Sequence, residues 1–299
     1  MGKKILAVGE ALFDILPSGE ALGGAPLNFA IHCAQLGADV TLLTRVGKDD
    51  LGRRIEACLR QRGVDTKYLQ WDDNRPTGRV MVNILDNKEV EYEIVEEVAW
   101  DYLNLENELI NELDNYQCLY FGTLAQRSQK SRETIQEIVR NFKGKIFLDL
   151  NLRKPELDHK IIRESIERTN ILKLNLEEAR YLQQHCGFSE NISQWLGEYD
   201  LDVIILTQGE RGTKWIDEKQ EIVAEVPQFT PQEEADCVGA GDGVAAAVVV
   251  GYLRGMPPSE IVRKANEIGA YIASEKGATP TLPLSLKNQW LGGNRDENC

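Results

Sequence analysis

No stretch of the 299 residues approaches the ~18 or more uncharged apolar residues of a membrane span. The start, Met1-Gly2-Lys3-Lys4-Ile5-Leu6-Ala7-Val8-Gly9, is basic but turns polar at Glu10 and Asp14. It lacks the long core and cleavage site of a signal peptide and reads as a first strand, which leads us to expect a cytoplasmic protein. Positive charge is in deficit, with 34 Lys and Arg against 48 Asp and Glu and a formal net charge of -14. Such a surface argues against general binding to nucleic acid or anionic membranes. It leaves open a small phosphorylated ligand, because a local loop can bind an anion within a negative field.

The six cysteines (Cys33, Cys58, Cys118, Cys186, Cys237, Cys299) are scattered and form no Cys-x-x-Cys pair or zinc spacing. They read as reduced thiols of an intracellular protein. His32, His159 and His185 have no partners at metal spacing. There is no G-x-x-x-x-G-K-[ST] loop: Lys48 and Lys145 follow glycines, but neither precedes Ser or Thr. Nor is there a dinucleotide fingerprint. Gly239-x-Gly241-x-Gly243 is not G-x-G-x-x-G, and no strand-like run directly precedes it. A nicotinamide-dependent dehydrogenase is disfavoured on that ground.

What is present is an alternation of short apolar runs and helical patterns. Ile5–Val8, Val40–Leu43, Cys118–Phe121, Lys145–Leu148, Ile171–Leu174 and Val203–Leu206 read as buried strands. Helical spacing marks Asn28–Leu36, about Asp50–Gln61, Ser131–Asn141, Lys160–Arg168 and Leu176–His185, with Gly37 and Gly63 as stops. This order predicts an α/β protein whose parallel sheet is covered on both faces. Ligands then bind beyond the carboxyl ends of the strands.

Thr77–Val95 breaks the rhythm. Two alternating runs, Gly78–Leu85 and Glu89–Val95, flank Asp86-Asn87 and predict a hairpin. With Phe13–Leu16 it would build a small separate sheet acting as a lid; the alternative is an edge hairpin of the main sheet. The polar tail from Gly292 to Cys299 reads as disordered.

Two glycine-rich segments carry the chemistry. Asp236-Cys237-Val238-Gly239-Ala240-Gly241-Asp242-Gly243 runs straight into the apolar Val244–Val250. Gly239, Ala240 and Gly241 let backbone N–H groups crowd at a helix start, where the dipole adds to an anion site. Asp242 beside it suits accepting a proton from an attacking hydroxyl in phosphoryl transfer, or simply caps a tight turn. In Gly23-Gly24-Ala25-Pro26-Leu27-Asn28 the glycines allow close backbone approach, and Asn28 offers a two-way amide. An ordinary turn before a Pro-led helix is the other reading.

Together these segments resemble the two signatures of the PfkB, or ribokinase-like, carbohydrate kinases. The first resembles the Gly-Gly…Asn motif and the second the Asp-Thr-x-Gly-Ala-Gly-Asp motif, with Cys237 in place of Thr. The likeness runs from Val8-Gly9-Glu10 to Lys276-Gly277-Ala278-Thr279-Pro280. The wording of Gly9–Asp14, Gly24-Ala25-Pro26 and Gly122-Thr123-Leu124-Ala125-Gln126-Arg127 is similar to the bacterial fructokinase-like branch.

The resemblance implies a ribokinase-like three-layer sandwich over residues 1–291, with a mostly parallel central sheet and a small lid at about 13–21 and 76–99. It implies ATP-dependent transfer of a phosphoryl group to a primary hydroxyl of a small sugar, fructose first. Ribose, a keto-deoxy sugar acid or a nucleoside are the alternative acceptors, and a non-catalytic sugar-binding regulator is an alternative role. It makes Asp242 the base, Gly239, Ala240 and Gly241 the anion hole, and Asp14, Gly24 and Asn28 the sugar binders. Arg153, in Asp149-Leu150-Asn151-Leu152-Arg153 at a strand end, would meet a phosphate or pair with a carboxylate, and Arg127 invites the same choice.

Asn175 and Glu178 resemble the Asn-x-x-Glu motif that helps place magnesium and nucleotide phosphates, and they also have capping-box spacing. Thr207, Gly209 and Gly212 resemble a nucleotide-contacting loop, otherwise a β-turn. Asn266 would lie near adenine, or on an exposed helix face. Asp236 and Thr281, with the backbone near Val238, Ile272, Glu275 and Gly277, match a potassium site of some relatives. An open lid edge would pair two subunits into a homodimer.

Overall fold

The computed structural model describes residues 3–16, 19–84, 90–153 and 157–290. The polar tail lies outside the described residues. The strands are β1 (Lys4–Val8), β2 (Leu12–Leu16), β3 (Gly19–Gly23), β4 (Asp39–Gly47), β5 (Leu69–Asp72), β6 (Gly78–Ile84), β7 (Val90–Ile94), β8 (Cys118–Gly122), β9 (Lys145–Asp149), β10 (Ile171–Asn175), β11 (Val203–Thr207), β12 (Thr213–Ile216) and β13 (Glu221–Val223). The helices are α1 (Ala25–Gln35), α2 (Asp50–Gln61), α3 (Asn107–Glu112), α4 (Gln129–Asn141), α5 (His159–Ile166), α6 (Leu176–His185), α7 (Trp195–Glu198), α8 (Ala240–Leu253), α9 (Pro258–Ala273) and α10 (Leu284–Asn288).

Nine strands form one sheet in the order β13-β12-β11-β10-β9-β8-β1-β4-β5. All neighbours from β11 to β5 run parallel, while β12 and β13 are antiparallel additions. Period-2 alternation sorts the strand residues onto two cores. Ile5, Ala7, Tyr120, Phe147 and Ile205 face the layer of α1, α2, α8 and α9. Leu6, Val8, Phe121, Leu148 and Ile204 face α4, α5 and α6. Strands buried on both faces read as continuous apolar runs, which is why they were legible.

α8 is buried almost all round, from Gly243 to Gly251. Its small residues permit that: a Cβ at Gly243 would come within 2.1 Å of Ile272 Cδ1 on α9. α1 packs against both the sheet and α8, with Phe29 stacked on Tyr120 at 3.8 Å between ring centroids.

The hairpin belongs to a separate four-stranded sheet, β3-β2-β6-β7, and not to the edge of the large one. β2 pairs parallel with β6, and β6 antiparallel with β7. Leu12, Val80 and Val82 make its own small apolar cluster, a reason for it to hold together apart from the main core. Arg127 fastens this sheet to the body: its guanidinium grips both oxygens of Asp101 at 2.8 Å, donates to the carbonyls of Ile94 and Val95, and lies 4.0 Å over the Trp100 ring. Of the two readings offered for Arg127, pairing with a local carboxylate is the one observed.

Candidate active site

The parallel register brings the carboxyl ends of the central strands level. Gly122 stands beside Asp149, Asp149 beside Lys173, and Asn175 beside Thr207. Over this edge comes the start of α8. Its N-cap, Gly239, has φ 77, a left-handed conformation that L side chains rarely adopt. A Cβ there would also sit 2.2 Å from the Ala278 carbonyl oxygen. Glycine is therefore required twice over, by conformation and by the close approach of another backbone segment. The first-turn amides that follow have no partner within the helix, and Ala240 N donates to the Cys237 carbonyl at 3.4 Å.

Asp242 lies in that first turn. Its Oδ2 accepts a hydrogen bond from Asn28 Nδ2 at 2.9 Å, joining the two glycine-rich segments across 214 positions of sequence. Burial raises the Asp242 pKa to about 6, and the Asp149 carboxylate pushes the same way; Lys173, the Asn28 hydrogen bond and Arg153 oppose them. The opposing effects leave a carboxylate that is ionised yet proton-avid near neutrality. Lys173 is buried and donates to both oxygens of Asp149 at 2.9 and 2.8 Å, and Tyr120 donates to Asp149 at 3.2 Å. Burial works against the Lys173 charge, but Asp149, with help from Asp242 and Glu178, opposes it and the pKa is raised. Its Nζ lies 3.4 Å from where a Cβ on Gly241 would stand, at the start of α8.

The small sheet brings in Asp14, which sits in β2 between Ala21 and Val80, not in a surface turn. Burial lifts its pKa to about 6; Arg153 lowers it and Asp236 raises it. Gly23 leaves it room, since a Cβ there would approach Asp14 Oδ2 to 2.7 Å. Gly24, at φ 107, lies against the Glu10 carbonyl. Asn28 is buried and its Oδ1 has no hydrogen-bond partner, so the amide holds Asp242 with one end and offers an acceptor with the other. Arg153 is exposed and donates to its neighbour Leu152, while its charge acts on Glu10, Asp14 and Asp242 together.

On the other side, Asn175 Oδ1 accepts from the backbone amides of Glu177 and Glu178, and Asn175 N donates to Glu178 Oε2 at 2.8 Å. The capping box is real, and Glu178 also accepts from Leu152 N. Burial and then Asp149 raise the Glu178 pKa. Against burial, Asp149, Asp242 and Glu178 all raise the Lys173 pKa. Thr207 ends β11, and Gly209 and Gly212 turn the chain into β12 with φ 61 and 81. Asn266 is buried rather than on an exposed face. Its Oδ1 accepts from Thr213 N at 2.9 Å and its amide donates to the Ala224 carbonyl at 2.9 Å. Its hydrogen bonds hold this loop in place.

Asp236 meets the 275–277 segment, and its two oxygens accept from Val238 N and Gly277 N. The Thr281 hydroxyl accepts from Arg62 at 3.1 Å.

Two groups at the site had been given no role. Lys173 is a lone charge inside the apolar run Ile171–Leu174, and a charge buried in a strand signals a partner. Glu10 is buried, with Oε1 accepting from Ala25 N at 3.3 Å and Oε2 unpartnered; burial lifts its pKa to about 7. A depression of about 590 Å³ at the opposite, amino ends of the strands is lined by Lys3, Tyr116, Gln117, Lys143 and Asn170 and lies away from these groups.

Residues 19–284 match the family model described as pfkB family carbohydrate kinase. The chain belongs to this family. Among relatives of this pfkB-family kinase is a protein of Pyrococcus horikoshii named as a sugar kinase, 28% identical over 298 residues, spanning 93% of this chain and 92% of its own. A fructokinase of Salmonella typhimurium is 26% identical over 308 residues, spanning 95% and 97%. In three dimensions the chain resembles a Vibrio cholerae O395 fructokinase in fructose-, ADP- and calcium-bound form, with TM-score 0.80, 21% identity and coverage of 97% and 99%. The fold is ribokinase-like, and the pfkB-family chain is a sugar kinase.

Proposed function

We propose that the protein transfers the γ-phosphate of ATP to a primary hydroxyl of fructose. The observation that carries this reading is the 2.9 Å contact of Asn28 with Asp242, which joins an acceptor-side amide to a carboxylate at a glycine-rich helix start. The sugar lies between Asp14 on β2 and Asn28, with Gly24 giving close backbone access. A carboxylate and an open amide acceptor bind neighbouring hydroxyls and reject molecules lacking them, because the polar groups would be left unpaired. The lid, formed by the described parts of segments 13–21 and 76–99 of the kinase domain 1–291, covers the acceptor and excludes water; residues 17–18 and 85–89 lie outside the described residues.

Asp242 takes the proton from the attacking hydroxyl. The amides at Gly239, Ala240 and Gly241 offset charge on the transferring phosphoryl, with the Lys173 ammonium beneath them. Arg153 faces the phosphates from the acceptor side. Asn175, Glu178, Thr207, Gly209 and Gly212 hold the nucleotide side, and Asn266 supports that loop. Magnesium would be held near Asn175 and Glu178, where it neutralises phosphate charge. The supports for fructose are the fructokinase relatives and the motif wording. A coupled ADP-release screen over fructose, ribose, a keto-deoxy sugar acid and a nucleoside tests it, with fructose expected to give the highest kcat/KM. A different best acceptor would replace fructose and leave the kinase reading standing.

A further inference from the structure

The segment Ala278–Leu282 is held largely by the first quarter of the chain, with Tyr271 on α9 also donating to the Thr281 carbonyl at 3.2 Å. His32 Nε2 lies 2.9 Å from the Ala278 carbonyl oxygen. Gln35 donates to the Pro280 carbonyl at 3.1 Å and accepts from Leu282 N at 2.9 Å. Arg62 reaches the Thr279 carbonyl at 3.2 Å and the Thr281 hydroxyl at 3.1 Å. Ala278 in turn is the backbone that leaves no room for a side chain at Gly239. The start of α8 is therefore tied to α1 at two points. One is direct, from Asn28 to Asp242. The other runs from His32 through Ala278 to Gly239. Asn28 and His32 are four residues apart and share one face of α1.

We infer that His32 is a positioning residue for phosphoryl transfer: its ring N–H holds Ala278 against Gly239 and thereby sets the aim of the anion-site amides. A carbonyl only accepts, so Nε2 carries the hydrogen. Nδ1 is buried with no partner, which requires a neutral ring. Burial lowers the His32 pKa to about 4, in keeping with that. His32 is fully buried and touches no reacting atom, so its effect passes through the backbone. With Gln35 and Arg62 still in place, losing its hydrogen bond shifts Ala278 without releasing the whole segment. A displacement of about 1 Å at an oriented site costs up to ~10²-fold in rate.

The inference rests on the kinase reading, and the test separates the two. His32→Met fills the space without a donor, and His32→Gln keeps one. The expected result is a kcat about 10- to 100-fold lower for Met, with KM for ATP and sugar within threefold, and a kcat for Gln within about threefold of the parent. Hydrogen exchange at the amides of residues 240–242 should be faster in the Met variant and near normal in the Gln variant. Unchanged kcat and exchange in Met, a loss confined to KM, or equal losses in Met and folded Gln each overturn the inference. If Met does not fold, a folded but inactive Gln variant overturns it alone. If the parent protein shows no sugar-dependent ADP release, the kinase reading fails, and the exchange comparison still decides the role of His32.

Discussion

Asp242 carries a carboxylate that burial and Asp149 hold up near 6, and two opposite consequences follow. As the proposed base, Asp242 must be ionised to accept a proton, so kcat/KM should rise with pH through about 6 and level off above it. A profile flat down to pH 5 would contradict this. Asp242→Asn should lower kcat by roughly 10²–10⁴-fold, the usual weight of a general base, while ATP still binds. The same raised pKa lowers stability once the group ionises. An unfolded carboxyl ionises near ~3.9, so the native state holds the extra proton between there and about 6. Stability from this group therefore falls as pH rises across that window. Asp242→Asn should melt a few degrees higher than the parent at pH 8, with the gap closing below pH 4; scanning calorimetry reads it. Asp14→Ala removes a charged acceptor whose hydrogen bonds are worth about 1.5–3 kcal/mol. It should raise the fructose KM about ten- to a hundredfold and leave the ATP KM nearly constant. Asn28→Ala should act in the same direction more weakly. A fall in ATP affinity alone would show that the site is divided otherwise.

Elements were legible where one local rule acted. The buried parallel strands announced themselves as apolar runs, and α2 and α6 run over the residues their spacing indicated. α1 begins at Ala25, earlier than Asn28, because Pro26 is tolerated in a first turn where no N–H partner is needed. Thr281 and Asn266 were not legible: their partners, Arg62 and the backbone of Thr213 and Ala224, lie 219, 53 and 42 positions away in sequence. Lys173 and Glu10 escaped for the same reason, since only the strand register shows what they face. The lid makes an element-scale prediction. Amides of β6 and β7 should gain protection from hydrogen exchange at saturating sugar. Unchanged protection would leave the small sheet a static support. Gly239→Ala should abolish turnover, because it meets both a positive φ and the Ala278 backbone.

For the whole molecule, the small sheet has two open edges, β3 and β7, and an open edge pairs readily with another chain. We propose a homodimer through this sheet, which sedimentation at micromolar concentration checks; a single species near 33.6 kDa would exclude it. No helix among the described residues is long and apolar enough to cross a membrane. The acidic balance further predicts no retention on nucleic acid at physiological salt. In the proposed function, the three layers bring Asp14 and Asn28 to one side of Asp242 and the strand-end loops to the other. The most direct measurement is fructose-dependent ADP release by the parent protein and by Asp242→Asn at equal concentration with saturating ATP and magnesium. The account predicts release that requires the sugar and falls at least about a hundredfold in the variant. Sugar-independent release, or a variant as fast as the parent, would contradict it.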